Sequence, residues 1–254
     1  MSVPHTARIL IIAGSDSGGG AGIQADIKTV TMLGGHAMTA ITAITAQNTI
    51  GVQAVHPVPT DMVIAQIDSV ISDIGVDAIK IGMIGSAATV HAVADRLEAL
   101  NPRPPIVFDP VMVATSGATL ADAETIAAFE RLMAIATLTT PNLPELVALG
   151  GENAMLGPTL VKGGHGDSEE IVDRLIGLDG EINRWVGPRI DTTSTHGTGC
   201  TLASAIATGL GQGNALEVAI TRARLFVRSA ILAAPGLGAG HGPMGHSAVD
   251  VGTL

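Results

Sequence analysis

The sequence predicts an α/β fold in which helices cover both faces of a mostly parallel sheet. Short uninterrupted apolar runs, such as residues 8–14, are typical of strands that are buried on both sides. Segments whose apolar residues recur at helical spacing alternate with these runs along most of the chain. Of the 254 residues, 46% are hydrophobic and 14% are charged, which suits a large buried core and excludes a disordered chain.

The predicted elements begin with a strand over residues 8–14 and a glycine-rich loop over residues 15–20. Apolar residues at helical spacing then run through residues 21–33, and the two glycines that follow end this helix. In chain order, the next predicted elements are a strand at 39–45, a helix at 60–73, a strand at 78–82, a helix at 86–100, a strand at 105–109, a helix at 121–134, and strands at 136–139 and 158–162.

The last third of the chain begins with two short, more polar strands near residues 171–173 and 182–186, which fit an antiparallel sheet edge. Helices over residues 201–210 and 215–234 precede a tail that is rich in Gly, His and Pro. No linker, compositional break or long-period repeat divides the chain. We therefore predict a single domain over residues 1–254.

The charge balance argues against nucleic-acid and membrane-surface binding. The chain has 13 Lys and Arg against 23 Asp and Glu, so its formal net charge is −10. With no Tyr, three Phe and one Trp, it also offers few platforms on which bases could stack. We expect no nucleic-acid partner.

Residues 29–60 contain no charged side chain, but polar residues and glycines interrupt every apolar run there, so we expect no membrane crossing. The first residues lack the basic start of a secretory leader, and we expect a cytoplasmic protein. Cys200 is the single cysteine, which excludes an internal disulfide and a multi-cysteine metal site within one chain.

The glycine-rich loop contains a formal match to the dinucleotide-binding pattern G-x-G-x-x-A, formed by Gly20, Gly22 and Ala25. The acidic residue that this pattern needs about 20 positions later is missing. The loop also lacks the Lys and Ser or Thr that would complete a Walker A motif. A tight turn is the simple interpretation, and close approach of the backbone to a small ligand is the one that we favour.

A second glycine motif, THGTGC at residues 195–200, comes directly before a predicted helix. Backbone N–H groups of Gly197, Thr198 and Gly199, together with the helix N-terminus, would form an anion site suited to phosphoryl transfer. A helix N-terminus or a cation would lower the pKa of the Cys200 thiol and make it a proton acceptor. The alternative is a small apolar filler, and spacing leaves both interpretations open.

Polar residues also follow other predicted strands. Asn142 and Glu145 suit Mg²⁺ ligation, although an Asn N-cap with Glu in the first turn is also an ordinary helix start. Asp109 could join a metal site or close a turn, and Lys162 could contact phosphate or be a solvated charge. The eight histidines show no zinc-ligand spacing.

Taken in order, eight segments give the chain a family resemblance. They are AGSDSGGGAGIQADIKT, TAITAQNT, IKIGMIGS, VFDPVM, TPNLPE, VKGGH, THGTGCTL and GHGP. The sequence resembles the hydroxymethylpyrimidine/phosphomethylpyrimidine kinases of thiamine biosynthesis, which belong to the ribokinase-like superfamily. The resemblance implies a three-layer αβα fold, a homodimer, and Mg²⁺- and ATP-dependent phosphorylation of a pyrimidine hydroxymethyl group and then of the resulting monophosphate.

The resemblance also implies roles for individual residues. The pyrimidine would be bound by Gln47, Met83, Gly14 and Ala21. The catalytic group would be the anion hole of Gly197, Thr198 and Gly199, with Cys200 as general base and Lys162 on the phosphates. Nucleotide contacts would come from Lys162, Thr195 and Asn142, and the Mg²⁺ network from Glu145 and Asp109.

Two segments depart from the family pattern. Residues 149–157 are too few for a helix that family members carry there, so we expect the sheet surface beneath to be less covered. The tail reads GHGPMGH where family members commonly read GHGPVNH, which could alter closure over ATP. Two other functions remain to be tested: phosphorylation of a pyridoxal-type alcohol, and pyrimidine binding without catalysis.

Overall fold

A computed structural model describes residues 6–165 and 168–253 of the protein. Within them, one nine-stranded sheet has the strand order β3-β2-β1-β4-β5-β6-β7-β8-β9. The strands are β1 (Arg8–Asp16), β2 (His36–Gln47), β3 (Val52–Pro57), β4 (Ala78–Ile81), β5 (Ile106–Phe108), β6 (Leu138–Thr139), β7 (Thr159–Val161), β8 (Glu170–Gly177) and β9 (Gly180–Pro188). The predicted single domain also includes residues 1–5, 166, 167 and 254, which lie outside the described residues.

The middle of the sheet is parallel and its two ends are antiparallel. Parallel pairing joins β2 to β1, β1 to β4, and then β4 through β7 in order. At one end β3 pairs antiparallel with β2, and at the other β8 and β9 form an antiparallel hairpin beside β7. The mostly parallel sheet and its antiparallel edge are confirmed. Strand β3 was not predicted, because its residues are nearly all exposed and show no buried face.

The helices lie on both faces of the sheet, which confirms the predicted α/β architecture. Leu10 and Ile12 of β1 point into a core formed with the second, third and fourth helices. Ile9 and Ile11 point into a second core formed with the first and the last two. The helices are α1 (Gly22–Met32), α2 (Thr60–Asp73), α3 (Ala87–Glu98), α4 (Ala123–Ile135), α5 (Leu143–Ala148), α6 (Thr198–Gly211) and α7 (Leu216–Leu232).

Three helices begin at side-chain caps that the sequence supplies. The Ser86 hydroxyl accepts a hydrogen bond from the Thr89 amide at the start of α3. The Asp122 carboxylate does the same for α4, and Asn142 caps α5. Each cap satisfies an amide that the first helical turn leaves unpaired.

The segment between α5 and β7 contains a single 3₁₀ turn, Glu152–Ala154, in place of a longer helix. The expectation that the sheet beneath would be less covered is wrong. Thr159, Leu160 and Val161 of β7 are buried. The side chain of Met155 packs into the same core as Val161, so one flexible apolar side chain helps to cover this part of the sheet.

None of the helices in the described part of the chain has both the length and the hydropathy that a membrane crossing would need.

Candidate active site

The residues singled out from the sequence gather where the parallel strands end and α6 begins. In open α/β sheets, ligands bind beyond the carboxyl ends of the strands, since the connecting loops meet there. We call residues 197–200 the GTGC turn. Beside this turn lie two groups. The pocket group is Gly14, Ala21, Gln47 and Met83. The second set, which we call the Lys162 cluster, is Asp109, Asn142, Glu145 and Lys162.

The pocket group surrounds the loop that follows β1. The sulfur of Met83 lies 3.0 Å from the position that a Cβ on Gly14 would take, so this side chain contacts the end of β1. Gln47 is the last residue of β2, and its carbonyl oxygen accepts a hydrogen bond from the Ser17 hydroxyl at 2.8 Å. The amide of Ala21 donates to Asp16 Oδ2 at 2.8 Å. The structure therefore brings all four predicted pocket residues to one loop.

A buried carboxylate and a histidine organise this loop. Asp16 accepts hydrogen bonds from the amides of Gly18, Gly20 and Ala21, and its Oδ2 lies 2.9 Å from Nε2 of His196. Burial acts to raise the pKa of Asp16, but the hydrogen bonds from His196 and from the loop amides outweigh it and hold the pKa below its ordinary value. Asp16 is therefore ionised at neutral pH.

The side chain of Gln47 keeps hydrogen-bonding capacity for a ligand. A carboxylate only accepts, so Nε2 of His196 donates to Asp16. The amide nitrogen of Gln47 lies 3.1 Å from the same Nε2. Two donors do not satisfy one another, so the Gln47 amide nitrogen can donate to a bound molecule instead.

The GTGC turn packs directly against residues 17–21, the loop between β1 and α1, which we call the first loop. Gly197 has a φ of +84°, and a Cβ there would overlap the carbonyl oxygen of Gly20. Only glycine combines this backbone conformation with so close an approach. The contact places the pocket group next to the amides that open α6.

On its other side, the GTGC turn faces the Lys162 cluster. The ammonium of Lys162 donates to Asp109 Oδ1 at 2.7 Å, and the Thr140 hydroxyl donates to the same oxygen at 3.1 Å. A Cβ placed on Gly199 would lie 3.3 Å from Lys162 Nζ and 3.4 Å from Asp109 Oδ2. Burial acts to lower the pKa of Lys162, but the carboxylates of Asp109 and Glu145 hold it above its ordinary value, so the group is cationic.

Asn142 and Glu145 form a capping box at the start of α5, so the helix-start interpretation is confirmed. Each side chain accepts a hydrogen bond from the backbone amide of the other. The Glu145 carboxylate also lies 3.9 Å from Lys162 Nζ. Burial raises the pKa of Glu145 to about 6 although Lys162 attracts the ionised form.

The donor set suits a magnesium ion shared with phosphates. Mg²⁺ usually takes one or two carboxylates and completes its shell with water and phosphate oxygens. Asp109 Oδ2 faces the GTGC turn, and Glu145 is the second nearby carboxylate. Within the described residues, no three His, Cys, Asp or Glu side chains cluster as a protein-only metal site. The residues present therefore fit an ion that arrives with a nucleotide.

Thr195 lies at the rim of the site beside the tail. Its hydroxyl is 3.4 Å from Nδ1 of His241. The amide of His241 donates to the carbonyl oxygen of Thr49 at 2.9 Å, and the amide of His196 donates to that of Gly242 at 3.2 Å. The tail thereby joins the end of β2 to the residues that precede the GTGC turn.

Cys200 lies where it was predicted, but its electrostatics differ from the expectation. Burial raises the pKa of the thiol to about 11, and the nearby ammonium of Lys80 offsets this only in part. The predicted lowering is therefore wrong. The side chain is partly buried among charged groups, so it is not sealed among aliphatic residues.

Beneath the turn lies an ion pair that the sequence analysis did not identify. Lys80 of β4 and Asp26 of α1 are both completely buried, and Lys80 Nζ donates to Asp26 Oδ2 at 2.8 Å. The hydroxyl of Ser204 donates to the other oxygen of Asp26 at 2.6 Å. Burial acts to lower the pKa of Lys80, but Asp26 and the other nearby acidic groups hold it above its ordinary value.

Four residues of this site were missed: Asp16, Asp26, Lys80 and His196. Two of them carried a signal in the sequence. Asp26 falls at helical spacing between the apolar residues of α1, and Lys80 interrupts an otherwise apolar strand. A charged residue in a position that is otherwise apolar is an indication of a buried ion pair.

Comparison with known proteins gives a consistent result. Residues 16–245 match the family described as phosphomethylpyrimidine kinase. The chain is 48% identical over 259 residues to the thiamine biosynthesis bifunctional protein of Geobacter sulfurreducens, covering 94% of this chain and 52% of that protein. It thus spans about half the length of that relative. It is 44% identical to the hydroxymethylpyrimidine/phosphomethylpyrimidine kinase of Streptomyces coelicolor, covering 94% and 93% of the two chains.

Among solved structures, an ADP complex of Bacillus subtilis pyridoxal kinase is similar. Its TM-score is 0.85 at 33% sequence identity, and the match covers 96% of this chain and 98% of that one. This likeness confirms the predicted three-layer, ribokinase-like fold.

Proposed function

This chain belongs to the phosphomethylpyrimidine kinase family, and we propose on that premise that it phosphorylates hydroxymethylpyrimidine and then its monophosphate in thiamine biosynthesis. ATP is the proposed phosphate donor. One observation carries the proposal at the level of the site. The close approach of Gly197 to Gly20 brings the loop that holds Gln47 and Met83 beside a turn that is flanked by a cation and a carboxylate. Phosphoryl transfer needs this combination of positioning and electrostatics.

In the proposed complex, the pyrimidine lies between Met83 and the first loop. Gln47 donates a hydrogen bond to the ring edge, and the backbone at Gly14 and Ala21 closes the pocket. This orientation points the hydroxymethyl group at the GTGC turn. The support is the unsatisfied donor capacity of Gln47 beside His196 and the contact of Met83 with the end of β1.

The phosphates of ATP are proposed to bind at the start of α6. The amides of Gly197, Thr198 and Gly199 and the ammonium of Lys162 offset the charge of the transferring group. Thr195 and Asn142 contact the nucleotide, and Asp109 and Glu145 hold Mg²⁺. When bound, the magnesium ion supplies neutralisation of phosphate charge. The support for this placement is that Lys162 Nζ lies 3.3 Å from the position of a Cβ on Gly199, directly beside the turn.

Cys200 is the proposed acceptor of the substrate's proton. The hydroxyl oxygen forms a bond to the γ-phosphorus while the bond to ADP breaks, and the hydroxyl proton moves to the thiolate sulfur. A pKa of about 11 makes the thiolate a minor form at neutral pH in the free protein. In the loose transition state of phosphoryl transfer, the attacking hydroxyl loses its proton late, so positioning of the sulfur matters alongside its basicity.

The direct test is a substrate panel with ATP and Mg²⁺, with products separated by ion-exchange chromatography and identified by mass. We expect hydroxymethylpyrimidine to give first the monophosphate and then the diphosphate. If neither step occurs, the proposed function is wrong. Tight pyrimidine binding without ATP turnover would instead support a binding protein.

Pyridoxal is a second candidate substrate, because the fold matches a pyridoxal kinase over nearly its whole length. Its hydroxymethyl group also stands on a nitrogen heterocycle. Comparing kcat/KM for the two alcohols decides between them, since this ratio measures discrimination in the transition state. We expect the pyrimidine to have the higher value.

The homodimer and the cytoplasmic location remain predictions from the sequence. Sedimentation equilibrium should give twice the mass of the chain. A monomer at all concentrations tested would contradict the dimer and leave the proposed chemistry intact.

A further inference from the structure

The ion pair beneath the GTGC turn is costly, and nothing in the proposed chemistry so far uses it. Burying an ammonium and a carboxylate carries a large desolvation cost, which their mutual attraction repays only in good geometry. Apolar residues of similar size often serve as well or better for stability. Lys80 and Asp26 therefore suggest a use beyond folding.

The geometry relates this pair to Cys200 through the packing of α1 against α6. Gly22 begins α1, and its backbone amide acts to favour the Cys200 thiolate. One helical turn further on, Ser204 of α6 donates to Asp26 of α1 at 2.6 Å. Residues one turn apart share a helix face, so Cys200 and Asp26 lie in the same seam between the two helices.

Lys80 enters this seam from the sheet below. Its Nζ bonds to Asp26 and also lies 2.7 Å from the position that a Cβ on Gly82 would take, so the ammonium is held under the backbone at the end of β4. Cys200 lies one turn before Ser204 on α6, and Ser204 and Lys80 bond to the two oxygens of Asp26, so the ammonium lies on the same side of α6 as the sulfur and favours its negative charge. The hydrogen bond to Asp26 fixes where this positive charge lies.

We propose that Lys80, held by Asp26, is a positioning residue whose ammonium supports negative charge on the Cys200 sulfur. This inference rests on the proposed function, in which that sulfur takes the substrate's proton. Before each transfer the thiol releases its own proton to solvent, and Lys80 makes the resulting thiolate less costly. Asp26 acts in the opposite direction on the sulfur while it keeps Lys80 in place.

Every charged group facing Cys200 enters this balance. Lys80 favours the thiolate, and Asp26 and Asp109 oppose it. Lys162 also interacts with the sulfur, from the end of β7. Lys80 is the largest favourable influence on the thiol after burial, which opposes the thiolate.

The test uses the single cysteine as its own probe. The rate of alkylation by iodoacetamide, measured against pH on the whole protein, follows the thiolate fraction of Cys200 alone. At pH 8, we expect Lys80→Met to lower this rate about tenfold, since a nearby opposite charge shifts a pKa by about one unit or more. Asp26→Asn should raise the rate. Opposite effects from the two partners of one ion pair exclude a role that is only structural.

Asp77→Asn is the matched control. It removes the carboxylate of the Arg8–Asp77 ion pair, and Asp77 directly precedes the first residue of β4, at the end of the strand away from Cys200. Its alkylation profile should equal that of the wild type. If Lys80→Met does not fold, Asp26→Asn is compared with Asp26→Asn/Lys80→Met, in which no buried charge of the pair is left alone. The double variant should be alkylated more slowly than Asp26→Asn, because it lacks the ammonium of Lys80.

Equal profiles in all folded variants would overturn the inference. The kinetic counterpart is a fall in kcat for Lys80→Met with little change in the pyrimidine KM. Because alkylation requires no substrate, this outcome is separate from the proposed function. A wild type without kinase activity would refute that function and leave the thiol measurements valid.

Discussion

At the scale of single residues, the Cys200 thiol shows how burial competes with charge. A helix N-terminus and a lysine both favour the thiolate, yet removal from water raises the pKa to about 11. A base with this pKa gains its active form as pH rises. The pH dependence of turnover therefore reports on whether Cys200 is that base.

Replacing Cys200 with Ser or Ala should lower kcat by about 10²-fold or more, the usual range for a lost general base. The pyrimidine KM should change little, since the sulfur is not proposed to bind the ring. For the wild type, kcat should rise from pH 7 to pH 9, and this rise should vanish in Cys200→Ala. Steady-state kinetics across that range is the measurement. An unchanged kcat in both variants would leave Cys200 as a packing residue.

Gln47→Ala should raise the pyrimidine KM by about fivefold with kcat largely retained, because one hydrogen bond to substrate contributes about 1 kcal/mol. Gln53→Ala is the control, since Gln53 lies exposed on β3 and donates to the carbonyl oxygen of Gly51. Initial rates over a range of pyrimidine concentrations give both constants. The same KM in the two variants would remove Gln47 from the pocket.

At the scale of elements, the site depends on the contact between the first loop and the start of α6. Gly197 makes this contact with a left-handed backbone, whereas Gly213 has the same conformation with φ +85° and nothing nearby. The two glycines thus separate the cost of backbone strain from the cost of overlap with Gly20.

Gly213→Ala should destabilise the protein by about 1 kcal/mol, the cost of the left-handed conformation alone. Gly197→Ala should cost clearly more and abolish turnover, because its Cβ would push the turn away from the first loop. Urea unfolding and initial rates measure the two effects. Equal losses in the free energy of unfolding would mean that the first loop moves away from the new Cβ at no cost in stability.

The same scale shows what local sequence could predict. Asn142, Pro144 and Glu145 announce the start of α5 because capping is decided within one turn. The cover over β7 could not be predicted in that way. It depends on Met155 packing into a core whose other residues come mainly from strands and helices across the first half of the chain and from α4, α5 and β7.

At the scale of the whole molecule, the burial of one histidine in the tail makes the stability of the protein depend on pH. His246 is buried, and its Nε2 lies 2.8 Å from the Thr201 hydroxyl of α6. Burial, with a smaller contribution from Lys28, lowers the pKa of His246 from its ordinary value of 6.5 to about 4. The folded protein therefore holds a neutral ring, which the unfolded chain protonates more readily.

Stability from this residue is complete above pH 6.5 and is lost as the pH falls toward 4. At pH 5 the loss should be about 2 kcal/mol relative to pH 7.5, at about 1.4 kcal/mol per pH unit. His246→Gln should lose less over this interval, because an amide is not protonated. His56→Gln, on the exposed strand β3, is the control. Urea titrations at both pH values make the comparison, and equal losses in wild type and His246→Gln would contradict it.

The sequence by itself determined most of the strands and helices in their order, with β3 as an exception, and also the family and the motifs at the strand ends. These features depend on residues that are close together in the sequence, so a short segment is enough to identify each of them. Asp26, Lys80 and Ser204 come from three separated segments, and only the tertiary structure decided that they meet beneath Cys200. The upward shift of the thiol's pKa followed from burial, which Lys80 offsets only in part, and both depend on neighbours in space and not in sequence.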